Sequence, residues 1–460
     1  MKPSLPFDER FHTELGSHKG DDRSPFERDR DLVLYSSAFK RLLSVTQVVS
    51  ASAGYVFHTR LTHSLQVAQV GRRLAEKLLK KQTDLAVNRI DADRVEAACL
   101  AHDIGHPPFG HLAEKILNSE ASSFGGFEGN AQSFRIVTEL SVTSLSYPGL
   151  NLTRGTLQAL LKYPWTHSRR PIDHSDPTGR KPKWGVYDCD ARTLRKITGL
   201  KHGGPFPRSV EAEIMDWADD VTYSVHDVED FFRAGLIPLH LLKSYEVGSS
   251  GRAPKDPRRR ERKERVRFFQ YVVGNEKKDA VLKGLTAEQL GGIFDNLLAF
   301  ADFRFEQPYE GSREDHAYLR RFTSRLINRF INALTLGEPD KTQSAVIKRE
   351  LLPQQEIAIL KQLTWCYVID APALAMQREA QTKIITRLFN VFHTEAHAKV
   401  PSGVLPIYYR DLLKHQRLTG REKSRAAVDL VASMTESQAI AVYQRLEGIT
   451  LDSGLDKILV

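Results

Sequence analysis

The chain predicts a mainly α-helical fold. Three observations carry that expectation. Apolar residues recur at helical spacing over long stretches. Runs of alternating β-branched residues are few. Glycine and proline interrupt the periodic stretches where helices should end.

Taken in order, residues 1–30 are polar and read as an extended arm. Helical patterning starts at Asp31. A short hairpin is expected near Val45–His58. Leu61, Leu65, Ala68, Ala75, Leu78 and Leu79 fall on one face of a helix that His63 opens. Asp91 or Asp93 can cap the next helix, with Val95, Ala98 and Cys99 on its buried side. Gly105 and Pro107-Pro108 must end it, because proline lacks an amide proton and clashes with the preceding turn. Loops are expected at Ser119–Gly129 and from about Pro164 to Gly185. Ile214, Ala218, Val221, Val225, Val228 and Phe232 form the apolar stripe of a helix over Val210–Phe232. Residues 247–266 read as an exposed basic linker or loop. Amphipathic helices follow over roughly 285–304, 313–335, 343–363, 371–393 and 421–447. The expected organisation is an arm at 1–30, a core at 31–240, a basic linker at 241–280 and a helical region at 281–460 that completes the core.

The 460 residues include 41% hydrophobic and 27% charged residues, ordinary values for a globular protein. No apolar run approaches the ~18–20 residues of a membrane span. The first residues lack the apolar core of a secretion signal, so a cytoplasmic location is expected. Three cysteines, Cys99, Cys189 and Cys366, are widely spaced and give neither a disulfide framework nor a thiolate zinc site. The net charge of +9 is uneven: residues 251–270 hold nine Lys or Arg against three acids. The basic character is therefore local. A solvated loop is the first reading of the arginine run at 258–262, an inter-subunit or nucleotide contact the second. Single-stranded nucleic acid binding is third, since aromatic partners for bases are few.

The chemistry-bearing residues come in a fixed order. His63 is followed by His102-Asp103, inside C-L-A-H-D-I-G-H-P-P-F-G-H (Cys99–His111), and then by Asp219. Two imidazoles and two carboxylates suit a divalent cation with open positions for water and phosphate. Asp219, Tyr223 and Asp227 stand at i, i+4 and i+8, on one side of the Val210–Phe232 helix. A solvated face is the ordinary explanation of such a stripe, and a structural hydrogen bond that of a lone histidine. The whole arrangement favours a metal-dependent phosphohydrolase.

The flanking text narrows this. R-D-R-D…S-S-A-F-K-R-L (Arg28–Leu42), T-R-L-T-H-S-L-Q-V-A-Q (Thr59–Gln69), G-G-F-E-G-N-A-Q (Gly125–Gln132), L-K-Y-P (Leu161–Pro164) and A-D-D-V-T-Y-S-V-H-D-V-E-D (Ala218–Asp230) join the H…HD…D pattern. Together they resemble the deoxynucleoside triphosphate triphosphohydrolases, a branch of the HD-domain metallophosphohydrolases whose best-known members are the bacterial dGTPases. The resemblance is dense over residues 28–232 and fades to a weak echo at Ala432–Ala439. It implies a helical HD-domain core and one divalent metal ion per site, Mg²⁺ or Mn²⁺ first, with iron, cobalt or nickel as further candidates. It implies cleavage of a dNTP to a deoxynucleoside and intact triphosphate, with dGTP a plausible substrate. It also implies a homo-oligomer, a hexamer or tetramer. A dNTP effector and single-stranded DNA are further candidate partners.

Residue by residue, the resemblance makes His63, His102, Asp103 and Asp219 the ligands, and His111 and Glu114 the catalytic pair. Tyr223 and Asp227 match residues at the deoxyribose. Leu42 and Gln47 fall in the segment around the sugar, and Arg60 matches a phosphate contact. Lys162 and Tyr163 suit phosphate or base, and packing suits Tyr163 equally. The chemistry needs attack at the α-phosphorus and departure of O5′, a poor leaving group unless protonated. Glu114 stands one helical turn beyond His111, so it can orient the ring or share its proton. The pair suits either activation of water or protonation of O5′. The rival readings are another HD hydrolase, such as a 5′-nucleotidase or an alarmone or cyclic-nucleotide hydrolase, and a nucleotide-sensing or single-stranded nucleic acid binding module.

Overall fold

Side-chain caps start most of the helices. The computed structural model describes residues 7–13, 20–47, 58–82, 90–171, 183–199, 206–243, 259–275, 279–337, 346–370, 375–400, 403–415 and 418–449. Ser24 and Glu27 form a capping box at the start of Pro25–Tyr35. Thr59 caps Arg60–Lys81, Asp91 caps Ala92–Ala101, and Ser209 caps Val210–Arg233, each accepting a backbone N–H of the first turn. The expected helices at 313–335 and 371–393 appear as Arg313–Asn332 and Ala375–His397. That at 285–304 is Ala287–Phe300. The stretch at 421–447 is two helices, Gly420–Ser433 and Glu436–Leu446, because Thr435 caps a new start. The fold is mainly α, and among the described residues no helix is long and apolar enough to cross a membrane.

Three details differ from the sequence reading, and the expected hairpin near Val45–His58 is described only at its ends. The basic stretch is helical over Arg259–Gly274, because Phe268, Phe269 and Val272 bury themselves in the core. Its residues 244–258 lie outside the described residues. The expected helix at 343–363 starts only at Leu351, and Val346–Arg349 pairs antiparallel with Leu334–Gly337. Of the hairpin near Val45–His58, residues 48–57 lie outside the described residues, and Thr46 forms an isolated antiparallel bridge with Thr59. The polar arm is tied down: Arg10 reaches buried Asp29 at 2.8 Å and the Asn151 carbonyl at 2.8 Å.

Among the described residues, two apolar clusters form the interior. The larger packs Val67, Leu74, Cys99, Trp217, Val221 and Phe330, joining the helices that carry His63, His102 and Asp219. The second packs Leu117, Phe127 and Tyr187 against Phe389, Phe392 and Val431. It seats the His111–Glu120 helix on the C-terminal helices. Polar bonds reinforce that seam. Asp429 accepts from Gln132 at 3.0 Å and from Arg135 at 3.0 Å, and Arg135 also reaches Asp190 at 2.7 Å.

Candidate active site

Three helices and one turn bring the metal-type side chains together. His63 lies in the first turn of Arg60–Lys81, and Asp219 at mid-length of Val210–Arg233. His102 caps the end of Ala92–Ala101, and Asp103 follows it into the turn. Ser133 holds that turn: its hydroxyl donates to the His102 carbonyl at 2.8 Å and accepts the Gly105 N–H at 2.9 Å. Position 105 must be glycine, since a Cβ there would collide with the backbone of Gly129, Gln132 and Ser133.

The donors converge. His63 Nε2 lies 3.2 Å from Asp219 Oδ1. His102 Nε2 lies 3.7 Å from the same oxygen and 3.5 Å from Asp103 Oδ1. Donor atoms of His63, His102 and Asp219 all fall within 4.8 Å of one another. His102 Nε2 is buried without a hydrogen-bond partner. A polar atom in that position needs a partner, and a cation among these donors supplies one. Burial alone would lower the His102 imidazole, yet the Asp103 and Asp219 carboxylates hold it up at about 9. The negative field that favours a proton there equally favours a metal ion. Burial would raise the Asp219 carboxyl, but His102, His63 and Lys162 hold it well below the usual range. Asp103 is likewise held low against burial by His106, His102 and Arg60. Its Oδ2 accepts from the Arg60 guanidinium at 2.5 Å. The residues fit a divalent cation bound by nitrogen and oxygen.

A second group stands beside the first. His111 Nδ1 lies 3.1 Å from Glu114 Oε2, and His106 Nε2 lies 3.9 Å from the same oxygen. His106 Nδ1 turns the other way, 3.0 Å from Asp103 Oδ1, so this imidazole stands between the two groups. Burial and the Arg60 charge lower His106 to about 4, leaving it neutral near pH 7. Burial alone would raise the Glu114 carboxyl; the His111 hydrogen bond and the Lys183 charge hold it well below its usual range. The His111 side chain is 65% exposed against 11% for Glu114, so the ring faces the open cleft on an anchored carboxylate. The turn before it bends sharply, with φ of +66° at Phe109 and +59° at Gly110.

Both groups open on one cleft of about 810 Å³. Arg60, Lys115, Lys162, Lys183, Lys361 and Arg378 supply cations to its lining. Lys162 pairs with Asp216 at 2.6 Å and lies 3.5 Å from Asp219. Gln47 and Tyr223 line the cleft. Burial raises the Tyr223 hydroxyl, so it stays a neutral phenol. Leu42 is wholly buried, and Asp227 is buried one turn beyond Tyr223 with Oδ2 unpartnered; neither is part of the cleft lining. Burial and the Asp230 charge push the Asp227 carboxyl well up. Tyr163 also lies off the lining, its ring facing the Arg208 guanidinium at 5.4 Å.

Several lining residues carried no role in the sequence reading. His106 sits inside the Cys99–His111 block, where its spacing sets it apart from neither a turn residue nor a ligand. Asn130 stood inside Gly125–Gln132. Lys361 and Arg378 come from C-terminal helices, where no local signal marks a lysine or arginine as facing a cleft.

Comparison with known proteins fits this geometry. Residues 60–144 match the HD domain, and residues 350–445 the phosphohydrolase-associated domain. A deoxyguanosinetriphosphate triphosphohydrolase-like protein of Streptomyces coelicolor is 37% identical, over 97% of this chain and 98% of its own. The chain belongs to this deoxyguanosinetriphosphate triphosphohydrolase-like family. A member from Corynebacterium efficiens is 36% identical over 95% of both chains. One from Shewanella baltica is 30% identical over 96% of both. Membership supports hydrolase activity of the HD-domain class and binding of a divalent metal at the His-Asp cluster.

Proposed function

We propose that this family member hydrolyses deoxynucleoside triphosphates at the α-phosphorus, releasing a deoxynucleoside and inorganic triphosphate, with dGTP a plausible substrate. One observation carries the reading: the His63–His102–Asp219 donor set, the His111–Glu114 pair and a cationic lining share one cleft. The relatives' names point the same way. Water adds to the α-phosphorus, the bond from that phosphorus to O5′ breaks, and O5′ leaves as an alcohol on taking a proton. The three phosphates leave together.

His63, His102, Asp103 and Asp219 would hold the metal ion, Mg²⁺ or Mn²⁺ first by donor type. A bound divalent cation supplies charge neutralisation of the phosphate and a more acidic water. Arg60 sits beside the donors, where its fixed positive charge opposes the charge of the phosphate. Lys115, Lys162 and Lys183 extend that field along the cleft. His111 moves a proton at Nε2, while Glu114 holds Nδ1 and so fixes the ring. Gln47 and Tyr223 would border the sugar, with Leu42 and Asp227 supporting them from behind. A 2′-hydroxyl buried there without a hydrogen-bond partner costs binding, which disfavours a ribonucleotide.

The test is incubation of purified protein with each dNTP, singly and mixed, and with GTP, under Mg²⁺ or Mn²⁺. Phosphorus NMR should show triphosphate and no pyrophosphate, with dGTP turned over far faster than GTP. Pyrophosphate or monophosphate as first product would favour the other HD hydrolases.

A further inference from the structure

Glu436 reaches out of its own helix into both walls of the cleft. It follows the N-cap Thr435 of Glu436–Leu446. Its Oε1 accepts the backbone N–H of Thr46 at 2.8 Å and that of Phe109 at 3.2 Å. Its Oε2 accepts the Thr46 hydroxyl at 2.8 Å. The two recipients flank different functional segments. Thr46 precedes Gln47 and bridges Thr59, the neighbour of Arg60. Phe109 precedes Gly110 and His111, in the turn with two positive φ values.

A second bridge runs parallel. The Arg41 guanidinium donates to the Met434 carbonyl at 2.9 Å and to the Ile104 and His106 carbonyls at 2.9 and 2.6 Å. The Met434–Glu436 corner is thus bonded to the His106 loop, the His111 turn and the Thr46–Gln47 segment. The helix that His111 opens has no side-chain cap of its own. Its entry is set by backbone geometry, and the Phe109 N–H is held from the far end of the chain.

We propose that Glu436 is a positioning residue, setting the separation between the cleft wall that carries Gln47 and Arg60 and His111 on the other side. This rests on reading His111 as the proton-transfer group. Proton transfer demands placement to within a fraction of an ångström, and misplacement by about 1 Å can cost a hundredfold. The C-terminal region would then take part in the chemistry through geometry, not through packing alone.

The test uses the full chain with Glu436→Ala, Glu436→Gln and Glu436→Asp, and Val442→Ala as a packing control on the same helix, where Val442 is buried. Amide exchange at Thr46 and Phe109 is read without nucleotide, and kcat and KM with dNTP and metal. Glu436→Ala should lose protection at both amides and up to about a hundredfold in kcat, with a smaller change in KM. Glu436→Gln keeps the reach and an accepting oxygen, so it should lie nearer wild type than Glu436→Asp, which keeps the charge and loses a methylene. Val442→Ala should lower the thermal midpoint and keep kcat. Asp outperforming Gln would overturn the role, even if the Ala variant fails to fold. So would unchanged exchange in Glu436→Ala, or kcat losses that track thermal midpoint across all four variants. A wild-type protein inert towards dNTPs would instead overturn the substrate reading, and the exchange result would still stand or fall by itself.

Discussion

The Nδ1–H of His102 donates to the Cys99 carbonyl oxygen at 2.6 Å, one helical turn back. A carbonyl can only accept, so this bond makes Nδ1 the donor and leaves Nε2 facing Asp219 and Asp103. Such backing bonds hold metal-binding imidazoles in register. The ring cannot swing away without breaking a bond made at the very end of its helix.

Asp103→Asn tests the donor set. The change keeps size and one oxygen for Arg60, so the metal-free protein should keep its thermal midpoint within a few degrees. Calorimetric titration with Mn²⁺ should show a loss larger than the about 10–100-fold caused by removing an outer-shell partner, and hydrolysis should vanish. Near-normal turnover at limiting metal would remove Asp103 from the ligand set.

His111→Ala should lower kcat by about 10²–10⁴-fold with little change in affinity for a non-hydrolysable dNTP analogue. Glu114→Ala should cost less. The double variant should be little worse than His111→Ala, because the two side chains are hydrogen-bonded as one unit. Weak analogue binding at wild-type kcat would demote His111 to a binding or structural group.

Gly110→Ala tests the turn before His111. At φ +59° and ψ −132° a side chain is strained, and the new Cβ would sit 3.1 Å from the Arg60 guanidinium. Denaturant unfolding should show a loss of about 1–3 kcal/mol. Activity at low temperature should fall as well, because both the His111 entry and Arg60 are pushed. Full activity in a destabilised variant would uncouple the turn from the chemistry.

His226 should shape the acid limb of stability. Burial and the neighbouring His58 and His63 lower its imidazole to about 3. In the unfolded chain it binds its proton near pH 6.5, so between these values the unfolded state holds more protons. Stability therefore rises with pH across that window; its contribution is complete above about 6.5 and is lost as pH falls towards 3. His226→Phe keeps a ring against His58, whose centroid lies 5.4 Å away, and removes the titration. The thermal midpoint of the variant should gain on wild type as pH drops below 6.5. A constant difference across pH would show that His226 does not titrate on unfolding.

The half of the fold that carries the His-Asp cluster was legible because its residues stand in short contiguous blocks. His63, His102 and Asp219 each carry a helix boundary or stripe that the sequence displays, and they meet as expected. Other features depend on distant partners. The Arg259–Gly274 helix looks like a charged linker until Phe268 and Phe269 find a core to enter. The Leu334–Gly337 and Val346–Arg349 pair is too short for alternation to register. Lys361 and Arg378 line the cleft only because helices far along the chain fold back over it. Glu436 looks like an ordinary first-turn acid that suits a helix N-terminus, and its side chain serves other segments.

The Phe109–Glu436 hydrogen bond spans 327 residues, which gives the molecule a timetable. Ribosomes extend a chain by about 5–20 residues per second, so roughly 15–65 s separate the making of its two ends. During that interval the helices bearing His63, His102 and Asp219 can already emerge and pack. The turn before His111 has to wait for its acceptor. A nascent chain would thus bring the His63, His102 and Asp219 donors together well before the turn ahead of His111 is held, and would reach its full site geometry only when synthesis is nearly done.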